Sequence, residues 1–382
     1  MSTDIVTCLQ EYSLVSIIEG SNVPIAKRCI FCGLKPSDKN KEHVIPRWLI
    51  ALTGDPKRTW HLGVQFNLQG TPARRFSADQ FQFPACEGCN LRYSNLEGRA
   101  KSNIMRLLEK EALSATAWDD LLDWFDKVRV GLWLGNMILN KDMPTPTPNF
   151  YIDQRIGSKD RCILVYPLEK DRVGLQMVGS GDPVFFFTPT CFALAINHLL
   201  FLNISSDFLL ACRMGFPFPH KMANLGSQIR ANDCTAHFRM KSPVIRFSFF
   251  SPSIAVYQTI LRSELFLDHK YATLTNSEYV QERLLPGNST KTKICSLQDG
   301  KPAFLNPDEK VLHRELRGSE RKSIDEYCVR LFEFRRLGLQ DMLKTGEIEQ
   351  PARELIRLMN KFNDYALAQT KSEAYRLGSE PM

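Results

Sequence analysis

The sequence predicts an α+β protein. A small N-terminal module of short strands, tied by cysteines and closed by a helix, precedes a long core helix and a larger mixed β-rich domain with C-terminal helices. Three observations predict it. Two C-x-x-C pairs bracket short strand-like stretches within residues 21–113. From Ala117 to Leu139, Trp118, Leu121, Leu122, Phe125, Val128 and Leu132 recur at helical spacing. Residues 150–270 break into short branched and aromatic runs between turn formers, and helical spacing returns over 319–370.

Within 21–113, "TWHLGVQFNL" and "RRFSADQFQF" read as strands, and a helix begins near Asn90 and runs towards Leu113. Residues 114–149 hold the core helix and then "KDMPTPTPN", whose prolines predict an extended linker. In the 150–382 domain, "RCILVYPLE", "VGLQMVGS", "VFFFT", "LLFLNIS", "AHFRMKS" and "VIRFSFF" are the predicted strands. The turn-rich stretch 285–310 reads as irregular. Ser323 and Glu326 make a capping box before "YCVRLFEFRRLGL", and Pro351 stands where a helix would start before "ARELIRLMNKFNDYAL". The last residues, "KSEAYRLGSEPM", are expected to fray.

The longest apolar region, 183–210, is interrupted by Pro189, Asn197, His198 and Asn203, which favours buried strands over a membrane span. The first twenty residues lack a basic start and carry Asp4 and Glu11, so no secretory leader is expected. A cytoplasmic setting follows, in which the eleven cysteines serve as thiols and metal ligands rather than as a disulfide framework. The net charge of +7 is concentrated: residues 21–106 hold 14 Lys and Arg against 6 Asp and Glu. Such a local surplus attracts a polyanion by releasing its condensed counterions. The plainer reading of that surplus is a solubilising surface.

Cys29 and Cys32 form "CIFC", and Cys86 and Cys89 form "CEGC". Two such knuckles offer four thiolates to one tetrahedral zinc, a closed shell that braces a fold and leaves no position for water. The 53 residues between the pairs must loop out from the metal. Glu42–His43, in "KEHVIPRWLI", lies inside that loop, and Asn90 directly follows the second knuckle. Asn90, Ser94, Glu97 and Lys101 return to one helical face. Zinc would thus gather an imidazole, two acids and an amide from distant sequence. His61 reads as a strand residue, and Cys234 and His237 as strand packing.

Together, "CIFC…EHVIPRW…CEGCN…LE" resembles the HNH, or His-Me finger, endonucleases, in the subgroup whose ββα-metal core is braced by a four-cysteine zinc site. The resemblance covers residues 27–100 or so. It implies that His43 is the general base and that Glu42 and Asn90 hold one catalytic divalent cation, Mg2+ or Mn2+. Glu97 would complete or orient that shell, and Cys29, Cys32, Cys86 and Cys89 would hold Zn2+. The implied reaction is hydrolysis of phosphodiester bonds in nucleic acid, DNA before RNA, in a setting such as restriction or phage defence. The general chemistry agrees. A neutral imidazole suits proton abstraction from water near neutral pH, and Mg2+ is content with one or two carboxylates beside phosphate oxygens. Arg47, Lys57, Arg58, Arg74, Arg75, Arg92 and Arg99 are the candidate phosphate contacts.

Three positions depart from the family pattern. The acid is Glu42 where Asp is commoner, Ser94 stands where many relatives have a last histidine, and the middle polar residue has only Asn67 as a counterpart. The competing expectation is a non-catalytic zinc module that docks on nucleic acid or on a protein. The 150–382 domain carries no motif of its own and would recognise a partner or signal.

Overall fold

A computed structural model describes residues 24–62, 74–139, 148, 150–157, 159–187, 189–206, 210, 221–225, 228–232, 252–258, 294–298, 301–314, 323–343 and 350–379. It is a mixed helix-and-strand protein with the cysteine cluster at its N-terminal end. The order begins with strand β1 (Lys41–His43), helix α1 (Arg47–Leu52), β2 (Thr59–Leu62), β3 (Arg74–Ser77) and β4 (Gln82–Pro84). Helix α2 (Glu87–Leu108), β5 (Leu113–Ser114) and helix α3 (Ala115–Leu139) follow. Next come short α4 (Ile152–Arg155), β6 (Asp160–Pro167), β7 (Leu175–Val178), short α5 (Pro183–Phe187), β8 (Cys191–Ile196) and β9 (Leu199–Ser206). The remaining strands are β10 (Lys221–Leu225), β11 (Gln228–Asn232), β12 (Ile254–Gln258), β13 (Ile294–Gln298), β14 (Lys301–Leu305) and β15 (Lys310–Val311). Helices α6 (Ile324–Leu343) and α7 (Gln350–Ser379) end the chain.

β1 and β4 pair antiparallel, with Glu42 opposite Phe83 and His43 opposite Gln82, and α2 starts almost directly after β4. The large sheet is antiparallel in the order β14-β13-β12-β6-β9-β8-β7. Alternate residues of a strand point to opposite faces. On β6, Ile163 and Val165 join the core shared with α3, while Cys162, Leu164 and Tyr166 join a second core with Tyr327, Leu331 and Phe334 of α6. Helices therefore cover both faces, which is why "RCILVYP" is a continuous apolar run rather than an alternating one.

α3 runs through the centre of the protein and is buried all round from Leu121 to Met137. Two glycines let it approach the β1–β4 pair closely. A Cβ on Gly131 would stand 2.8 Å from Val44, and one on Gly135 would stand 2.7 Å from the Phe83 ring. The N-terminal module and one face of the large sheet consequently share one continuous core through α3. Towards the sheet, α3 offers Asp119, Asp123 and Asp126 to Arg161 of β6, at 3.3, 2.5 and 3.2 Å. Arg129 closes this buried network by pairing with Asp126 and Asn203.

Three local expectations need correction. "VFFFT" is not a strand; Val184 to Phe187 lie in α5, because Asp182 Oδ1 accepts from Phe185 N and Pro183 fits a first helical turn. The stretch 285–310 contains β13, β14 and the start of β15, with Gln298 paired to Lys301 across Asp299-Gly300, the favoured two-residue hairpin sequence. The tail does not fray from Lys371; α7 continues to Ser379. The capping box forms as expected, Ser323 N to Glu326 Oε2 at 2.9 Å and Glu326 N to Ser323 Oγ at 3.2 Å. "AHFRMKS", "VIRFSFF", Asn67, Cys234, His237 and nearly all of the proline-rich linker lie outside the described residues. Among those described, no helix is long and apolar enough to cross a membrane.

Candidate metal centre

The first knuckle is a tight turn in which Gly33 N donates to Cys29 O at 2.9 Å and Cys29 N to Leu34 O at 2.7 Å. The turn needs Gly33 at φ +77°, in the left-handed region that glycine enters without strain. Cys86 precedes the first residue of α2 and Cys89 lies in its first turn, so the second pair is carried by a helix start. Asp38 accepts from Glu87 N at 3.2 Å and satisfies one of the unpaired amides of that start.

The sulfurs of Cys29, Cys32, Cys86 and Cys89 all lie within 4.8 Å of one another, and Cys32 Sγ is 3.9 Å from Cys86 Sγ. A tetrahedral zinc about 2.3 Å from each sulfur would set the sulfurs about 3.8 Å apart. The cluster thus has the shape that a structural metal such as zinc requires. The thiols also govern one another's ionisation. A hydrogen bond from Cys89 brings the Cys29 thiol down to about 5. Burial, then the charge of Cys29, pushes Cys86 up to about 12, and burial also raises Cys32. Cys89 is raised by its bond to Cys29 and by burial.

The knuckle is covered from outside the cysteine loop. Ile152 N and Asp153 N of α4 donate to Ile30 O and Phe31 O at 3.3 and 3.0 Å. Asp153 also binds Arg92 at 2.5 Å and Tyr93 Oη at 2.7 Å, and the rings of Phe31 and Tyr93 stack at 4.4 Å.

His43 ends β1, half-buried. Its Nε2 lies 3.1 Å from the carbonyl of Asp79 and 3.2 Å from Arg47 Nε, so it can donate to the first or accept from the second, one at a time. Burial holds the imidazole below its ordinary value, and Arg47 adds to that, which leaves it neutral at neutral pH. Asn90, one residue past the second knuckle, donates its amide to Lys41 O at 3.3 Å and Asn40 Oδ1 at 3.4 Å, so the helix start is bonded back to β1.

Glu42 and Glu97 are also brought together, and by a residue that the sequence reading passed over. Lys127 of α3 donates to Glu42 Oε1 at 2.5 Å and to Glu97 Oε1, while Trp48 Nε1 donates to Glu97 Oε2 at 3.3 Å. Burial pushes Glu42 up, against the pull of Lys127. Burial works against the charge on Lys127, yet Glu97 and Glu42 keep it above its ordinary value, so the ammonium stays charged. No local sequence signal marks it, because both of its acidic partners are distant in sequence. Ser94 Oγ turns to its own helix, donating to Leu91 O at 2.7 Å.

The basic residues divide into two groups. Arg92 and Arg99 are paired with Asp153 and Asp120, and Arg58 clamps the end of α1 through Ile50 O, Asp55 O and Thr53 Oγ1. Arg47 and Lys57 are exposed and have no acidic partner among the described residues. The side chains of Arg74 and Arg75 lie outside the description. Compared with family models, with curated proteins and with solved structures, the chain matches none.

Proposed function

We propose that this chain is a metal-dependent endonuclease of the HNH, or His-Me finger, type, acting on DNA in preference to RNA. One observation carries the reading. His43 stands at the end of β1 in an antiparallel β1–β4 pair whose second strand leads straight into α2, and the cysteine cluster with Asn90 ties the helix start to that pair. With Nε2–H donating to the Asp79 carbonyl, the neutral imidazole of His43 takes a proton from water at Nδ1. Arg47, exposed beside the ring, holds a phosphate oxygen of the substrate. Glu42 and Asn90 would hold the divalent cation, Mg2+ or Mn2+, which when bound neutralises charge on the phosphate and the leaving oxygen. Restriction or phage defence is the setting this activity suits, and the 150–382 domain would supply recognition of a partner or signal.

The test is cleavage of plasmid, single-stranded DNA and RNA by the full chain with Mg2+ or Mn2+. His43→Ala abolishes nicking while zinc content and melting temperature stay at the wild-type values. Intact substrates with the wild-type chain would remove the support for catalysis. A second reading, a non-catalytic zinc module docking on nucleic acid or protein, is favoured by one observation: Lys127 already neutralises charge on Glu42 and Glu97. It requires nucleic-acid binding that survives chelation of Mg2+ and is indifferent to His43→Ala.

A further inference from the structure

We propose that Lys127 is a positioning residue for the cation site, and that it divides the two acids between two tasks: Glu42 binds the cation and Glu97 only supports it. This rests on the endonuclease reading above. Each atom has a distinct partner. Lys127 takes Oε1 of Glu42 and Oε1 of Glu97, and the indole of Trp48 takes Oε2 of Glu97. Both oxygens of Glu97 are therefore engaged by protein donors. Glu42 Oε2 and Asn90 Oδ1 have no hydrogen-bond partner among the described residues, and these are the oxygens left for a cation. Mg2+ and Mn2+ take hard oxygen ligands of this kind and keep several waters.

The cost of burial explains why a lysine does this work. Lys127 is almost fully enclosed, and an isolated ammonium there would be strongly disfavoured. The buried carboxylate of Glu42 and the half-buried one of Glu97 keep it charged, and it stands between the two acids as their shared partner. The Lys127 ammonium also lies 5.9 Å from the Phe31 ring, inside the first knuckle, so the anchor stands beside the zinc brace. Lys127 does not reach substrate; it acts through Glu42.

The experiment measures Mn2+ affinity of the full chain by electron paramagnetic resonance titration, together with zinc content and melting temperature. The wild type is compared with Glu42→Gln, Glu97→Gln, Lys127→Met and Lys127→Arg. Lys127→Met weakens Mn2+ binding about 10–100-fold, the usual effect of losing a partner that orients a ligand. Lys127→Arg, which keeps the charge, recovers part of that loss. Glu97→Gln weakens binding at least about tenfold less than Glu42→Gln does, and it decides the matter if Lys127→Met fails to fold. Equal losses from Glu42→Gln and Glu97→Gln would overturn the division of tasks. Unchanged or tighter Mn2+ binding in a folded, zinc-loaded Lys127→Met would overturn the positioning role and mark Lys127 as a competitor for the site. If the wild type cuts DNA and binds Mn2+ but the variants rank otherwise, only this assignment fails. If the wild type neither cuts DNA nor binds Mn2+, the endonuclease reading fails with it.

Discussion

Removing the metal from the four-cysteine cluster is the most direct perturbation of the brace. A structural zinc contributes on the order of 10–16 kcal/mol to the folding of a small domain. That rivals the ~5–15 kcal/mol net stability of a whole domain. The other contacts of the knuckle can be counted. Ile30 and Phe31 are buried, and their side chains contribute roughly 3–6 kcal/mol together. The backbone bonds from Ile30 N to Pro84 O, Ile152 N to Ile30 O and Asp153 N to Phe31 O contribute about 1 kcal/mol each. These contacts alone fall below what the metal supplies, so chelation should destabilise the protein by at least about 5 kcal/mol, a fall in Tm on the order of 10 °C. Elemental analysis should find one zinc per chain, and calorimetry with and without a chelator should show the fall. Cys86→Ser should lose the zinc, whereas Cys328→Ala, a buried residue in the core under α6, should keep it and cost only packing. If the purified chain carries no zinc, or chelation moves Tm by less than about 2 °C, the brace is not a metal.

Arg161→Met should destabilise by about 3–5 kcal/mol at neutral pH, because Asp119 and Asp123 lose their guanidinium partner in the core. Against burial, Arg129 and then Arg161 hold Asp126 below its ordinary value. This stabilisation is therefore present above the unfolded carboxylate range and is lost as pH falls through the lower folded value. Urea melts should accordingly show the variant's deficit largest near neutrality and narrowing below about pH 4; a deficit independent of pH would refute the assignment. Gly33→Ala should cost about 2–4 kcal/mol by denaturant melt, since an alanine there is strained at φ +77° and its Cβ would stand 2.4 Å from the edge of the Tyr151 ring. A neutral effect would mean that the knuckle and Tyr151 do not pack as described.

Much of the candidate site was legible because its signals are local. Each C-x-x-C pair, the capping box at Ser323 and the helical stripe of α3 depend on residues a turn apart. The β13–β14 hairpin was legible too, in Asp299-Gly300, but surrounding turn formers masked it; Pro302 is accommodated because β14 is the sheet's edge. α5 was hidden by composition, since "VFFFT" has strand-like residues and only Asp182-Pro183 announces a helix. Lys127 was illegible for a different reason. Its role depends on partners 85 and 30 residues away, and sequence spacing cannot register such a contact. The basic stretch was also misleading as a count, because Arg92 and Arg99 are engaged with acids brought by α4 and α3.

The same long-range contact accounts for one departure from the pattern that the resemblance implies. Glutamate at 42 is longer than aspartate by one methylene, about 1.5 Å of reach. That length lets Oε1 meet a lysine on α3 while the backbone of Glu42 stays in register with Phe83. Ser94, in place of a last histidine, bonds to its own helix and leaves the amide of Asn90 as the helix's link to β1. Adjacent on β1, the two side chains have different partners: Arg47 and the Asp79 carbonyl meet His43, and Lys127 meets Glu42. His43 is therefore held by the cysteine loop, whereas Glu42 is held by a helix outside it. That helix is also bound through Asp119, Asp123 and Asp126 to the large sheet. A displacement of α3 by the sheet would thus reach Glu42 before it reached His43, so under the proposed endonuclease function cation binding, rather than proton abstraction, is the step most exposed to events in the 150–382 domain.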